Sequence, residues 1–508
     1  MNTNDVGARR WLLLLAVCLT GILTPLSFTG PAVVLPSIQE ALGGTPNQLN
    51  WVMNGYILTY GSLMMAGGSL ADTYGRKRVW LIGLALFIVI TFAVPYAPSV
   101  LWMDVLRLLQ GAAGAVAFAG GVSTLAQVFH GPTRTRAFSI LGTCFGVALA
   151  FGPLAAGWMV DMVDWRWVFL ATALLSMVSL ILAVFTADES RDPQATGLDW
   201  PGAISFTGFL TLLTYGLLRV PEHGWLETGV VASLVATVVL FVAFVVIERR
   251  QARPMLDLSL FSSARFVGVQ LLGASPAFFY ITLIVILPAR FINVDGYSAL
   301  AAGQVMIALS APLLVVPFLA AMLVRWISAG VLSGIGLLIL ALGLALLGGS
   351  LSGGAADGAL LWPLLLIGVG VGLPWGLMDS LAVSVVEKER AGMAIGIFNA
   401  VRVSADGVAL AVLGALLAGL IHAGLSDFTS DPVLSQVASR AAIGDLAGAS
   451  ALLPGLGDVV LRSYDAAFRL TLFIFSGAAV LTALAIFALL GRTRAHDDEG
   501  VSVAASQA

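Results

Sequence analysis

The stretch Gly67-Gly-Ser-Leu-Ala-Asp-Thr-Tyr-Gly-Arg-Lys-Arg78 lies between two long apolar runs and decides the fold. Because an apolar run of about 20 residues spans a bilayer as a helix, the stretch is predicted to be a short polar turn at a membrane face. Its three adjacent cations, at 76–78, identify that face as cytoplasmic, since cytoplasmic loops carry an excess of Lys and Arg. Its glycines allow two helices to approach closely, and Asp72 has Arg76 and Arg78 nearby as cationic partners.

The composition independently indicates a membrane protein. Of 508 residues, 59% are hydrophobic and 10% are charged, whereas roughly a quarter of the residues in soluble domains are charged. The net charge of −3 is small and the cations are spread over several loops, so we expect no nucleic-acid partner. Both cysteines, Cys18 and Cys144, lie inside apolar runs, and we interpret them as core residues without a disulfide.

The apolar runs number fourteen, and an even number of spans places both termini on one side of the membrane. Most of the 25 Lys and Arg residues fall in loops on the side of the 76–78 cluster. We therefore predict a multi-pass protein of the inner membrane with both termini in the cytoplasm. The first run continues to Pro36 and many spans follow, so it is predicted to be an uncleaved helix and not a signal peptide.

Two patterns in the first half of the chain resemble those of the major facilitator superfamily. The Gly67–Arg78 stretch is similar to the signature loop between the second and third helices of that family. In the fourth run, Arg107, Gln110 and Gly111 match the family pattern Arg-x-x-Gln-Gly, and the resemblance implies a role for Arg107 in proton transfer or in organising the central cavity. The alternative is a structural pair between Arg107 and Asp104, one helical turn apart.

The fifth run resembles the antiporter signature of the superfamily, which is associated with exporters. A departure is Ala156, which stands where the first of the two final glycines is expected. Close helix packing by small residues is the alternative interpretation, and the proline is predicted to bend the helix. The matching residues are Gly142, Gly146, Gly152, Pro153 and Gly157.

The number and spacing of the runs resemble the fourteen-helix branch of drug:proton antiporters. This implies an all-α major facilitator fold, with two six-helix bundles and two inserted helices between them. The predicted segments are a first bundle at 11–187, the inserted helices at 200–247, a basic cytoplasmic connector at 248–265, a second bundle at 266–490 with an outer loop at 421–466, and a disordered cytoplasmic tail at 491–508.

The acidic residue that many members of this branch carry in the first span is missing here, because Ser27 stands in its place. The second bundle supplies Asp379 and Asp406, which lie well inside the twelfth and thirteenth spans. Arg402 is four residues from Asp406, so a structural pair is the alternative for Asp406. Asp379 has no cation within a helical turn in sequence, and unless Arg290 or Arg402 reaches it across the cavity it must be protonated or hydrated; we favour it as the proton carrier.

A substrate pocket between the bundles is expected to hold flat, amphipathic molecules by stacking and apolar contact. For Arg290, at the outer end of the ninth span, the alternative is a side chain that extends to the membrane interface. The candidate pocket residues are Asn54, Trp375, Met378, Asn399, Arg402 and Arg290.

The predicted function is proton-coupled export of amphipathic organic compounds by alternating access, with Arg107, Asp379 and Asp406 in proton coupling. Gly68, Asp72, Gly75, Arg76 and Arg78 are expected to form a conformational latch.

One alternative is a dedicated exporter of one endogenous metabolite, such as an anionic siderophore or an aromatic acid. Another, from a different class, is a transport-inactive sensor. The chain carries no motif of an enzyme or a metal site, so we expect no catalysis and no cofactor. Its expected partners are a small-molecule substrate, protons and the lipid bilayer, and we expect a monomer.

Overall fold

A computed structural model describes residues 3–44, 46–191, 199–224, 227–251, 256, 258–297, 299–351, 357–386, 391–426, 428, 433–442, 444 and 446–491. These residues form helices joined by short connections, with no β-strand among them. Of the predicted tail at 491–508, all but the first residue lies outside the described residues.

The first bundle contains six helices in which small residues permit close contact. They are α1 (Thr3–Leu42), α2 (Pro46–Tyr74), α3 (Arg76–Ala93), α4 (Val100–Val128), α5 (Gly131–Met162) and α6 (Arg166–Thr186). Helix α4 packs against both α2 and α3. A Cβ at Gly111 would lie 2.3 Å from the Tyr56 carbonyl oxygen, and one at Gly120 would lie 2.8 Å from the Trp80 nitrogen. Glycine is therefore required at both crossings.

The second bundle follows two inserted helices, and three of its rods are interrupted. The inserted helices are α7 (Trp200–His223) and α8 (Thr228–Arg250). The second bundle contains α9 (Ala264–Pro276), α10 (Thr282–Asn293), α11 (Ala299–Ser310), α12 (Val316–Leu323), α13 (Ala329–Ser350), α14 (Asp357–Trp375), α15 (Met378–Ser384), α16 (Ala391–Ser426) and α19 (Gly457–Leu490). A π-helical turn joins α9 to α10, a 3₁₀ turn joins α11 to α12, and a short break separates α14 from α15.

The described residues contain eleven helices that are long and apolar enough to cross a membrane, or twelve if the two halves of α5 count as one span. Helices α2 and α7 are not among them but run as further rods, which is compatible with the fourteen predicted. The bend predicted in α5 is confirmed, since its halves Arg136–Leu149 and Phe151–Val160 meet at 44°. Pro153 removes the hydrogen bond to the carbonyl of Leu149, which accounts for the position of the bend.

The predicted outer loop at 421–466 contains two short helices, α17 (Leu434–Ala442) and α18 (Leu446–Ala451), together with the ends of α16 and α19. The apolar side chains of Leu434 and Val437 belong to the same buried cluster as Leu425 of α16 and Val460 of α19. The short helices therefore extend the core of the second bundle. We call the end of the molecule that contains residues 75–78 the signature-loop end. The two short helices lie at the opposite end.

Candidate functional site

The two bundles meet through α2 and α16 on one side and through α5 and the α11–α12 rod on the other. A Cβ at Gly396 would lie 3.1 Å from Met65 Cα, and one at Gly61 would lie 2.7 Å from Val403 Cγ1. Asn54 lies two turns before Gly61 on the same face of α2, away from the signature-loop end, and is half-buried. The contact between α2 and α16 is therefore concentrated toward the signature-loop end.

Arg107 is fully buried in the first bundle and is held by neutral groups from three helices. Its Nε donates to the Val52 carbonyl of α2 at 2.6 Å, and its other nitrogens donate to the Ser27 carbonyl of α1 and to Gln110 Oε1. Among the described residues Arg107 and Asp104 form no ion pair and Asp104 Oδ1 has no hydrogen-bond partner, which does not favour the alternative of a structural pair. Arg107 thus fixes the crossing of α1, α2 and α4.

Aromatic side chains extend the Arg107 site toward the second bundle. The Arg107 guanidinium lies 4.7 Å from the centroid of the Tyr56 ring, which stacks on Tyr60 at 5.6 Å. Thr24 of α1 donates to the Tyr60 hydroxyl at 3.1 Å. Tyr60 belongs to the same buried cluster as Ile395 of α16, so the aromatic stack reaches the interface between the bundles.

The break between α14 and α15 places Asp379 opposite Arg402. Arg402 Nη1 lies 3.7 Å from Asp379 Oδ1, and each side chain is 9% exposed. Arg402 therefore reaches Asp379 across from α16, one of the two possibilities that the sequence left open, and neutralises it in this conformation. The predicted alternative of an Arg402–Asp406 pair is wrong, because Asp406 forms no ion pair with the described residues and is partly exposed. The candidate site thus contains one neutralised carboxylate and a second carboxylate one turn away.

Side chains of both bundles surround Arg402. Its guanidinium lies 5.1 Å from the ring centroid of Phe145 on α5 and 5.7 Å from that of Phe398. Phe145 in turn lies 6.0 Å from the Trp375 ring at the end of α14. Met378 and Asn399, close to these groups in sequence, are fully buried, and Asn399 Oδ1 has no hydrogen-bond partner in the described part of the chain.

Arg290 belongs to a separate ion network at the opposite end. Its Nη2 donates to Asp465 Oδ1 of α19 at 2.5 Å, and its Nε lies 3.7 Å from Asp295 Oδ2. The Phe468 ring centroid is 4.9 Å from its guanidinium. Arg290 is 2% exposed, so the alternative of a side chain extending to the interface is wrong, and its contacts favour a structural role over the predicted substrate contact.

The signature loop is anchored within the first bundle. Asp72 Oδ1 accepts from Arg76 Nε at 2.9 Å, as predicted from their spacing. Glu189, which follows α6, accepts from the backbone nitrogens of Lys77 and Arg78, both at 3.2 Å. The Arg78 side chain lies 3.8 Å from Glu189 and not beside Asp72, which corrects the expectation of two cations at one carboxylate. Gly68 is buried on α2.

The glycines of α5 divide into two groups by what they contact. Gly142 and Gly146 face the second bundle, where their Cβ atoms would lie 3.1 Å from the Trp375 carbonyl oxygen and 3.1 Å from Leu313 Cβ. Gly152 and Gly157 face α1 within the first bundle. The 44° bend separates the two groups, so α5 packs on both bundles.

Sequence reasoning missed Glu189, Asp465 and Ser139, whose Oγ donates to the carbonyl of Gly376 at 2.5 Å. Each is an ordinary polar residue at a helix end or inside a span, and no local spacing identifies its distant partner. The described residues contain no group of three or more His, Cys, Asp or Glu that is placed to bind a metal ion.

The family model described as Major Facilitator Superfamily matches residues 17–410. The chain is 30% identical over 439 residues to the probable actinorhodin transporter of Streptomyces coelicolor, covering 82% of this chain and 73% of that protein. It is 32% identical over 414 residues to multidrug resistance protein Stp of Mycobacterium tuberculosis, covering 80% of this chain and 76% of that protein. It is 35% identical over 396 residues to cephamycin export protein CmcT of Amycolatopsis lactamdurans, covering 75% of this chain and 79% of that protein.

Among solved structures, the fold is similar to that of the human organic anion transporter MFSD10 (TETRAN). The TM-score is 0.61 at 14% sequence identity, and the match covers 92% of this chain and 99% of that one. At this identity the likeness concerns the fold alone.

Proposed function

Since this chain belongs to the major facilitator superfamily, we propose that it exports amphipathic organic compounds by proton-driven alternating access. The observation that carries the proposal is the buried Asp379–Arg402 pair at the break between α14 and α15, which lies against Phe145 of the other bundle. A buried carboxylate that one proton neutralises is the kind of group that proton-coupled transport requires. The similarity to named antibiotic and multidrug exporters supports export as the direction.

The pair suggests how a proton changes the contacts between the bundles. While Asp379 is ionised, Arg402 neutralises it at 3.7 Å, which compensates for the loss of water around both charges. When a proton binds Asp379, Arg402 loses this partner, and Asp406 lies one turn along α16 as the next carboxylate within reach. Arg402 then moves away from Asp379, and the contacts that join Phe145, Trp375 and Arg402 change with it.

The cations of the signature loop support an orientation in which that end and both termini lie on the cytoplasmic side of the inner membrane. The contact between α2 and α16 near Met65 and Gly396 supports a conformation that is closed on the cytoplasmic side. Protons would then reach the site from the outer side. The Asp72–Arg76 pair and the Glu189 contacts would hold the signature loop, the candidate conformational latch, in place within the first bundle.

The surroundings of Arg402 support flat, amphipathic cargo. Phe145 and Trp375 come from different bundles and present ring faces at one place, so a planar molecule bound there would contact both bundles at once. Asn54 and Asp406 are the partly exposed polar side chains that would orient it. The buried arginines do not favour an anion, since Arg290 and Arg402 are paired with carboxylates and Arg107 is held by carbonyl groups, so the cargo is neutral or cationic.

A dedicated exporter of one compound is the second candidate. It is favoured by the actinorhodin and cephamycin relatives, each of which is named for a single antibiotic. A toxicity panel in a host without efflux pumps separates the two. Protection against several unrelated planar compounds supports broad export, and protection against one compound supports the dedicated exporter.

Reconstitution in liposomes with an internal pH dye tests proton coupling. Purified protein and an imposed proton gradient should give substrate-dependent proton flux, and Asp379→Asn should abolish it while inserting normally. Asp406→Asn should reduce it, because Arg402 would lose its second partner. Asp458→Asn, which changes an exposed carboxylate at the start of α19, is the matched control and should behave as wild type. Full flux in Asp379→Asn would exclude Asp379 as the carrier.

A further inference from the structure

Ser139 forms a direct hydrogen bond between the two bundles. It lies on α5, has no exposed surface, and donates from Oγ to the carbonyl oxygen of Gly376 at 2.5 Å. Gly376 lies in the break between α14 and α15, and Asp379 follows it by three residues. The hydroxyl therefore contacts the backbone that sets the position of the Asp379 carboxyl group.

Two further residues of α5, at intervals of three along the helix, contact the break or its neighbours. A Cβ at Gly142 would lie 3.1 Å from the Trp375 carbonyl oxygen and 3.7 Å from Gly376 Cα. One turn further, Phe145 lies beside both Trp375 and Arg402, at 6.0 Å and 5.1 Å. Residues three apart are neighbours on a helix surface, so each of these three residues lies next to the following one. Helix α5 thus presents a donor, a flat surface and a ring to the break and to Arg402.

On the side away from α5, the break between α14 and α15 packs against α12. A Cβ at Gly376 would lie 2.6 Å from the carbonyl oxygen of Pro317, so the backbone there is held between α12 and Ser139. If α5 moves away, the carbonyl of Gly376 loses its donor, and a buried carbonyl without a donor is unfavourable. Separation of the bundles is therefore coupled to a change in the backbone that precedes Asp379.

The groups that act on Asp379 come from two further helices. Among the described residues, Arg402 of α16 is the charged group that interacts with it, and Tyr60 of α2 is the titratable hydroxyl that faces the pair. Helices α5, α9 and α14 also pack against α15. The hydrogen bond from Ser139 holds the backbone three residues before Asp379, on the side from which α5 packs.

We propose that Ser139 is a positioning residue that couples closure of the signature-loop end to proton loading at Asp379, through its hydrogen bond to the carbonyl of Gly376. The inference rests on the proposed function, in which Asp379 carries the proton. It assigns a role in transport to a residue that lies outside the glycines of the antiporter pattern.

The first test is the pH profile of proton-driven export in liposomes. Without the hydroxyl, Asp379 is held less closely to Arg402, its ionised form is less stabilised, and it binds a proton at higher pH. Ser139→Ala should therefore shift the half-maximal pH upward by about half to one unit, a change of about 3- to 10-fold in proton affinity. Ser139→Thr, which keeps the hydroxyl, should restore the wild-type profile.

Thr143→Ala is the matched control, because the Thr143 hydroxyl donates only to the Ser139 carbonyl within α5, at 2.9 Å. It should leave the pH profile unchanged. An unchanged profile in Ser139→Ala, with Asp379→Asn inactive, would overturn the role of Ser139 and leave the proposed function intact. Normal proton-driven export by Asp379→Asn would overturn both.

A second measurement does not depend on transport. Spin labels at Arg10 of α1 and at Trp326, both exposed near the signature-loop end, report the distance between the bundles in a background with Cys18 and Cys144 replaced by alanine. Ser139→Ala should increase the population with the longer distance, and Thr143→Ala should not. Identical distance distributions in the wild type and Ser139→Ala would overturn the inference.

Discussion

Arg290 shows how a single buried cation depends on its partners. It is 2% exposed, and its closest carboxylate is Asp465, with Asp295 on its other side. Removing the close partner of a buried charge leaves that charge uncompensated. We predict that Asp465→Asn lowers the free energy of unfolding by about 3 kcal/mol, measured by thermal unfolding in nanodiscs. A wild-type melting temperature would show that Asp295 alone is a sufficient partner for Arg290.

Asp295 lies outside the spans, and its burial makes the stability of the protein depend on pH. Burial raises the pKa of Asp295 above its usual 3.8, Arg290 opposes this shift, and Asp465 adds to it. Because the folded pKa lies above the unfolded one, this group contributes most to stability below pH 3.8, and the contribution is lost as pH rises through the folded pKa.

We therefore predict that Asp295→Asn, unlike Asp465→Asn, leaves the melting temperature at pH 7 unchanged or higher. It should also flatten the dependence of the melting temperature on pH above 4. A lower melting temperature at pH 7 would mean that the ion pair with Arg290 outweighs the cost of burying Asp295.

Gly75 combines an unusual backbone angle with a tight contact. Its φ is +112°, and a Cβ there would lie 2.6 Å from Glu189 Oε1. Gly75→Ala should lower the free energy of unfolding by about 2 kcal/mol or more, since a positive φ alone costs a residue with a side chain about 1–2 kcal/mol. The added Cβ should also displace Glu189 from the start of α3. Gly131→Ala is the control, because its φ is +52° with nothing within 4 Å. Equal losses of stability in the two variants would show that the Glu189 contact adds nothing to the cost of the Gly75 substitution.

At the scale of elements, the inserted helix α7 lies across the line where the bundles meet. It packs against α2 of the first bundle and α16 of the second. Toward α2 it makes polar and aromatic contacts. Thr207 Oγ1 donates to the Ser62 carbonyl at 3.4 Å, and the ring centroids of Tyr215 and Trp51 are 5.7 Å apart. Toward α16 it makes apolar contacts. We infer that α7 moves with the first bundle.

Two cysteine pairs test this assignment. A Cβ at Gly407 of α16 would lie 3.8 Å from Thr214 Cγ2 of α7, which is close enough for a crosslink. Oxidation of the Thr214→Cys/Gly407→Cys pair should stop transport, and reduction should restore it. The control pair, Ser62→Cys with Thr207→Cys, lies where Thr207 of α7 contacts the Ser62 backbone of α2, and transport should remain active after oxidation. Arrest by the control pair alone would show that α7 moves with the second bundle.

At the scale of the whole molecule, the contacts between the bundles lie toward the signature-loop end, which predicts a cavity open at the other end. Asn54 is half-buried toward that other end, whereas Asn399 is fully buried in the half nearer the signature loop. In a cysteine-free background, a membrane-impermeant thiol reagent added outside should label Asn54→Cys and not Asn399→Cys. Labelling of Asn399→Cys from the outside would contradict closure at the signature-loop end.

The sequence by itself determined the class, the helices and the positions of the buried charges. Hydrophobic runs specify spans because the bilayer requires about 20 apolar residues for each, and Pro153 specifies a bend because the missing N–H acts on its own helix. The same local logic correctly paired Asp72 with Arg76, four residues apart.

Only the tertiary structure decided which charges from distant parts of the chain meet. Spacing favoured Arg402 with Asp406, but the rotation of α16 directs Arg402 to Asp379 on another rod. Arg290 with Asp465, Lys77 and Arg78 with Glu189, and Ser139 with Gly376 are likewise partners from distant parts of the chain. Helical periodicity fixes which residues share a face, whereas helix rotation and the docking of one bundle on the other depend on packing over the whole molecule.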